Sequence, residues 1–453
     1  MKATRLWSLW QGILLSLALG FTQRGQYRFV EWATGLALNV EEHTITQSLI
    51  ALGRPCDWKA LESFAEYGHF NLRSHQYALV RRLEQLPNRT WYGFHVWGGD
   101  DSKVHRNSPD VWGTCTFHDY SARYPNRAST VRAHNWVVTG ALLPNPGQPA
   151  YFLPVAGLPY FRKSQLPEAQ NGPPIIFHTK CELLVEQFRQ EARDCQDLDC
   201  YGKPLPGKHL GVFDGAFATR NVVVPLVEPD EPGLQRIDFL TRLRHDARLY
   251  ALPPKERHPG QRGPTPVWGK QLPPPRQGGR WPGDWQSGTA FIYSKVRAVQ
   301  YKEVLCLWRV LGHDVVVKAV VARVEGYRKR FTLVCSATEL SGLQMVEIFC
   351  ARFRQEDAFR DLKQRLGWEE CRAWTRLPIE RTTQMLLTTL TALRLLEMQL
   401  QEEKGDDWWL HPPWNPNKSR PSVLDVQRLL WQHREGIAAS LASWLGNEGK
   451  AGE

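Results

Sequence analysis

The chain has 453 residues, enough for two or three domains at ~100 to 200 residues each, so a mini-protein held by staples is excluded. Apolar residues make up 42% and charged residues 23%, which rules out the apolar-poor composition of a disordered chain. Fifty-seven Lys and Arg against 46 Asp and Glu leave a formal charge of +11, which favours a polyanionic partner such as nucleic acid or an anionic membrane face.

The first predicted element is LWSLWQGILLSLALGF, residues 6 to 21, which follows Lys2 and Arg5 in the manner of a signal peptide. Its 16 residues fall short of the ~20 that a bilayer requires, and helix-like sequence continues behind it, so it reads as a buried helix. Residues 27 to 85 carry apolar side chains at helical spacing, as in FVEWATGLAL and HQYALVRRLEQL, with Gly53 and Pro55 as a break. An all-helical front domain over 1–90 is expected, with DNA contact as one use for it.

From Trp91 the texture changes to short apolar runs: WYGFHVWGG, WGTCTFHDY, HNWVVTGAL and YFLPVAG read as consecutive strands. The helical stretch CELLVEQFRQEAR (181 to 193) follows, then HLGVFDGAFA, a strand ending at Asp214, and FLTRLR (239 to 244) as one more. Strands in hairpin order followed by alternating helix and strand predict a mixed α/β sheet. Residues 252 to 290, rich in Pro, Gly, Arg and Trp, read as a basic extended linker. Three β-like runs come next (EVLCLWRVL, DVVVKAVVARV, FTLVCSA), then helices from 341 to about 365 and from 378 to 403, and a last amphipathic helix, SVLDVQRLLWQHREGIAASLASWL.

Nine cysteines, an odd number without a Cys-x-x-Cys pair, fit a reducing cytosol better than a disulfide framework. Cys195 and Cys200 lie close together, but no further ligands stand at metal-site spacing.

Three carboxylates stand out. Asp100 or Asp101, with Asp101 slightly favoured, and Asp214 lie where apolar runs end, so rigid strands can hold them on one site; a lone strand-end aspartate more often caps a turn. Glu356 lies on a helical pattern with Phe349, Arg352 and Lys363 at spacings of 3, 4 and 7, which puts all four on one helix face. Such spacing arises by chance often enough to carry little weight alone, since a charged helix face is usually just solvated.

The arrangement as a whole is more specific: a second Asp 113 residues after Asp101 and a Glu 142 residues further on, flanked by basic groups. VFDGAFA and F-x-x-R-x-x-x-E-x-x-x-x-x-x-K at 349 to 363 resemble the Tyr-Arg-Glu-Lys signature of bacterial insertion-sequence DDE transposases of the cut-and-paste kind. RQEDAFRDLKQRLGWEECRAWTRLPIERT, GGDDSK and HNWVVTGALL extend the likeness over most of residues 30 to 435. Phe349 stands where the family has Tyr, Phe353 where it usually has Trp, and Ser102 where Thr is frequent.

The resemblance implies a ribonuclease H-like α/β core over 91–248 and 341–404, a β-rich basic insertion over 249–340, and a C-terminal helical tail over 405–453. It implies Asp101 (or Asp100), Asp214 and Glu356 as ligands of two Mg²⁺ ions, with Mn²⁺ able to substitute, since hard cations take carboxylate oxygens. Water would be the first nucleophile and the freed 3′-OH the second. Arg352 and Lys363 would hold phosphates, and Trp281 and Trp285 of the insertion, with Trp268 near them, would stack on bases at a distorted DNA end. Double-stranded DNA, a homodimer pairing two ends, a cytoplasmic location at the nucleoid and no membrane complete the expectation. A glycoside hydrolase also uses paired carboxylates and Trp, but accounts for neither the charge nor the Glu helix. A DNA binder without catalysis is the other rival.

Overall fold

The computed structural model describes residues 2–119, 129–170, 172–196, 207–229, 233–254, 264–416 and 418–446. Five helices come first: α1 (Ala3–Leu17), α2 (Gln23–Leu38), α3 (Ile45–Ala51), α4 (Trp58–Tyr67) and α5 (Leu72–Glu84). Thr22, Thr44 and Asn71 cap three of them by accepting from the backbone N–H three residues on. The apolar segment near the N-terminus is α1, whose Leu6, Trp7, Trp10, Ile13, Leu14 and Leu17 recur at helical spacing and are buried. None of the described helices is long and apolar enough to cross a membrane.

The strands are β1 (Thr90–Trp91), β2 (Phe94–His105), β3 (Cys115–His118), β4 (Thr130–Leu143) and β5 (Tyr151–Tyr160); then, after α6 (Lys180–Gln196), β6 (Lys208–Phe213), and after α7 (Arg220–Val227), β7 (Ile237–Arg242). β8 (Leu249–Tyr250), β9 (Gln286–Ile292), β10 (Lys295–Trp308), β11 (Val316–Val324) and β12 (Phe331–Cys335) follow. The chain closes with α8 (Gly342–Ala351), α9 (Phe353–Arg365), α10 (Arg376–Lys404), α11 (Val423–Gln432) and α12 (Arg434–Gly446).

Among the described residues, twelve strands join one mixed sheet. In its first half the order is β5-β4-β2-β6-β7: the hairpin strands are antiparallel, whereas β2, β6 and β7 run parallel, with α6 and α7 in the connections. Parallel neighbours need such crossovers, which places helices on the faces of the sheet. At Gly140 a bulge in β4 brings the backbone of Leu153 and Pro154 so near that a Cβ would lie 2.8 Å from Pro154 Cα, a position only glycine fills without backbone movement.

In the second half, the region expected as a β-rich insertion joins the same sheet. β12 pairs antiparallel with β7, and β11 and β10 continue outward, so the strands of 249–340 extend the core sheet. β9, which begins inside the stretch read as linker, pairs with β10 and lengthens that edge. Its QSGTAFI sequence has too few apolar residues to signal a strand; backbone pairing with a long neighbour makes it one.

Two further differences concern helices. The single helix expected over 341–365 is α8 and α9, joined at Arg352, whose N–H donates to Phe349 O (3.2 Å) and whose carbonyl accepts from Gln355 N (2.8 Å). These three-residue spacings tighten the turn without leaving helical dihedrals. The last expected helix is likewise two, α11 and α12, divided at His433.

α10 runs between the front helices and β5. His75 of α5 meets Thr388 at 2.8 Å, and Arg381 donates to the carbonyls of Phe64 and Ala65 at 3.3 and 2.8 Å. The helices before residue 90 therefore share their apolar interior with α10.

Candidate active site

Successive residues of a strand point to opposite faces, so Asp100 and Asp101 of β2 cannot share one site. The glycines before them identify the faces. A Cβ on Gly98 would meet Phe152 at 3.0 Å and Gln355 of α9 at 3.4 Å, while one on Gly99 would collide with Leu184 and lie 2.9 Å from Phe188, both of α6. Asp100, in phase with Gly98, faces α9, and Asp101 faces α6. There Asp101 Oδ2 accepts from Lys180 Nζ (2.7 Å) and Asn135 Nδ2 (3.1 Å).

The parallel pairing of β2 with β6 sets Gly99 opposite Phe213, so Asp100 and Asp214 are the next pair in register, at the end of β6. Asp214 also accepts from Ala216 N (3.3 Å), capping a short 3₁₀ turn. Glu356 arrives from α9, and Arg352 binds all three carboxylates together. One guanidinium nitrogen of Arg352 lies 2.9 Å from Asp100 Oδ2; the other is 3.3 Å from Glu356 Oε1 and 3.9 Å from Asp214 Oδ1. The ring of Phe349 lies beneath the guanidinium at 5.7 Å, a cation–π contact that needs no hydroxyl. The preference for Asp101 thus gives way to Asp100, because alternation along β2 carries Asp101 to the far face.

The placement of Glu356 follows from two anchors. Gln355 Nε2 donates to the carbonyl of Val138 at 3.0 Å, and Val138 is the β4 residue paired with Asp100. Seven residues after Glu356, Lys363 Nζ donates to Lys103 O at 2.5 Å. The helical rise from Glu356 to Lys363, about 10.5 Å, matches the strand rise from Asp100 to Lys103, about 10 Å, so α9 runs alongside β2 in the same direction. Lys363 also lies 3.7 Å from Glu369, and burial lowers its pKa. It stands on the predicted helix but spends its ammonium on the strand backbone, away from the three carboxylates.

Burial pushes the Asp100 carboxyl up to about 6; the nearby Asp101 and Asp214 carboxylates raise it further, while Arg352 and the N–H of Asp101 oppose the rise. Its side chain is 21% exposed. An unfolded aspartate loses its proton near pH 3.9, so the stability contributed by the folded-state proton is complete below about pH 4 and lost as pH rises through 6. Asparagine imitates the protonated acid. Metal-free Asp100→Asn is therefore expected to melt with the wild type near pH 4 and above it at pH 8, by up to about 3 kcal/mol of stability at 1.36 kcal/mol per pKa unit; equal melting at both pH values contradicts this account.

The tryptophans expected to meet bases are placed otherwise. Trp281 is only 2% exposed and donates to Pro273 O at 2.7 Å, so neither face of its indole is open to a base, and the stacking expectation is corrected. Trp285 is half-buried, with Arg323 over its ring at 4.4 Å and Lys302 and Arg330 at 5.7 and 5.8 Å. Trp268 packs against Tyr250, ring centroids 4.8 Å apart.

Among the described residues, the group of three potential ligands whose atoms all lie within 4.8 Å is Glu84, His95 and Cys195, away from this site. The carboxylates around Arg352 stand wider, separated by its guanidinium. No family model matches this chain, and no curated protein matches it.

Proposed function

We propose that this chain is a DDE transposase that cuts DNA at the ends of a mobile element and joins the freed 3′-OH to target DNA. The observation that carries the reading is the convergence of Asp100, Asp214 and Glu356 on one guanidinium, from a strand, a neighbouring strand end and a helix far apart in sequence. The order β5-β4-β2-β6-β7, three antiparallel strands followed by two parallel ones reached through helices, supports a ribonuclease H-like core with the carboxylates at the carboxyl end of β6.

Three carboxylates are a hard oxygen donor set and fit Mg²⁺. Asp100, Asp214 and Glu356 would hold it, and a bound pair of Mg²⁺ or Mn²⁺ ions supplies activation of the attacking oxygen and charge stabilisation at the leaving one. Arg352 neutralises the carboxylates in its present position and, turned toward substrate, offers a planar fork suited to a phosphate. Gln355 and Lys363 act by positioning: both tie α9 to the sheet, so Glu356 stays beside Asp100. Asp101 with Lys180 braces β2 from behind. Two transposon ends must be held together, so the working form is a homodimer on double-stranded DNA, at the bacterial nucleoid in the cytoplasm.

The test is incubation with a labelled duplex ending in the repeat that flanks its own element, with Mg²⁺ or with a chelator. Strand cleavage at the repeat end, dependent on metal, is expected. A gel shift without cleavage would instead make the chain a binder, and indifference to DNA would favour sugar chemistry.

A further inference from the structure

Away from the carboxylates around Arg352, α5, α6 and β2 meet at a buried group of three unlike donors. Glu84 ends α5, His95 is the second residue of β2, and Cys195 stands in the last turn of α6. One carboxylate oxygen, one ring nitrogen and the sulfur all lie within 4.8 Å of one another. The side chains of Glu84 and His95 are 1% and 4% exposed, and Cys195 is buried. Beside them Arg73 of α5 donates to Asp194 of α6 at 2.9 Å, so the two helices are already held together there.

The neighbours fix these donors in place. Glu84 Oε1 accepts from Arg89 Nε at 2.6 Å, and the Arg89 guanidinium is stacked over Trp97 at 4.4 Å. Glu84 Oε2, buried and 2.7 Å from His95 Nδ1, makes no hydrogen bond of ordinary geometry. The ring of His209 is stacked on that of His95, centroids 5.3 Å apart, and its Nδ1 accepts from Trp97 Nε1 at 3.3 Å. A buried carboxylate oxygen without a good hydrogen bond is a cost to the folded chain, which a cation bonded to it removes.

Thiolate sulfur, imidazole nitrogen and carboxylate oxygen are the ligands Zn²⁺ takes, at about 2.3, 2.0 to 2.1 and 2.0 to 2.2 Å. On a tetrahedron these lengths set the ligand atoms about 3.4 to 3.6 Å apart, so the three atoms are near enough for one ion once Glu84 and His95 part by about 0.7 Å. We infer that Glu84 Oε2, His95 Nδ1 and Cys195 Sγ bind one Zn²⁺ ion, which ties α5 and α6 to the start of β2. Mg²⁺ does not compete, because a hard cation does not take a thiolate. The site is separate from the candidate active site and does not depend on the transposase reading.

Burial, with the Glu84 carboxylate adding to it, holds the Cys195 thiol well above its ordinary range, so the metal-free thiol keeps its proton. That proton passes to solvent as the S–Zn bond forms, and carboxylate and thiolate together balance the two charges of the ion. Arg89 keeps the other oxygen of Glu84 in place, as partners of metal ligands do. Water completes the tetrahedron. Asp100 lies further along the same strand, so the ion anchors the element that carries it.

The probes are Zn²⁺ and Co²⁺ themselves, added to the full chain after treatment with a chelator. Wild type should retain one zinc per chain through gel filtration, and Co²⁺ should give a sulfur-to-cobalt charge-transfer band that excess Mg²⁺ leaves unchanged. Cys195→Ser and His95→Gln should each weaken binding about a hundredfold, at the upper end of what losing a hydrogen-bonding neighbour of a ligand costs. Cys306→Ala, which removes a buried thiol of β10, should keep both the zinc and the band. With chelator, wild type and His95→Gln should melt within a few degrees of each other, and added Zn²⁺ should raise the melting temperature of wild type alone. Should Cys195→Ser fail to fold, His95→Gln decides the matter. A wild type that takes up no zinc and shows no band overturns the site, as does zinc held equally well by His95→Gln.

Discussion

Asp100→Asn is expected to abolish metal-dependent cleavage, by about a thousandfold or more, while Asp101→Asn keeps it within about tenfold. A thousandfold corresponds to about 4 kcal/mol of transition-state stabilisation, a reasonable loss for a metal-binding charge. The two variants are adjacent and on the same strand and each replaces one carboxylate by its isosteric amide, so DNA affinity should differ little between them, and stability near pH 8 should favour Asp100→Asn. What separates them is direction: Asp100 shares Arg352 with Asp214 and Glu356, whereas Asp101 lies on the α6 face with Lys180 and Asn135. The check is single-turnover cleavage of a labelled end duplex by both proteins. Loss in Asp101→Asn with activity in Asp100→Asn would reverse the assignment and require β2 to turn over.

The second large effect is structural and reaches the same site from behind. Arg394 of α10 donates to Glu397 at 2.6 Å and to Asp361 of α9 at 3.1 Å, and all three side chains are largely buried. Burial raises the pKa of both Asp361 and Glu397, and Arg394 opposes the rise. Arg394→Met leaves two buried carboxylates without their partner, expected to cost about 3 to 5 kcal/mol. The carboxylates then protonate more readily in the folded state, so the deficit shrinks as pH falls toward 5. Urea denaturation at pH 8 and pH 5 checks this; a deficit under about 1 kcal/mol at both would show that the network contributes little. Because Asp361 sits one and a half turns past Glu356 on α9, a destabilised clamp should also lower cleavage before the chain unfolds globally.

Much of the first half of the fold was legible because apolar runs on β2, β4 and β5 are long and bounded by turn residues, and because α6 and α10 carry sustained helical periodicity. The attachment of β12 to β7 was not, since partner choice between strands is a tertiary matter that a run such as FTLVC does not encode. In the candidate site, Asp214 was readable as a strand end, while Glu356 stood out through the resemblance and not through its helix spacing alone. The choice between Asp100 and Asp101 depends on the phase of β2, and both its faces are covered, so hydrophobic alternation gives no sign of it. A signal did exist in Gly98 and Gly99, whose missing side chains admit a helix on each face. Gln355 lies within RQED, but nothing local says that its amide reaches Val138. The cluster of Glu84, His95 and Cys195 was missed because it joins three elements that only packing brings together. Trp281 illustrates the opposite failure, an aromatic among basic residues whose indole packs inward.

The most direct test is cleavage of the labelled end duplex by wild type and Glu356→Gln, each with Mg²⁺ and with Mn²⁺. Glutamine keeps the shape and the Arg352 neighbourhood while removing one ligand charge, so DNA binding should persist. The account predicts cutting at the repeat end by the wild type with either ion, and its loss in the variant. Cutting that survives Glu356→Gln unchanged would contradict it, because the three carboxylates would then not be the centre of the chemistry.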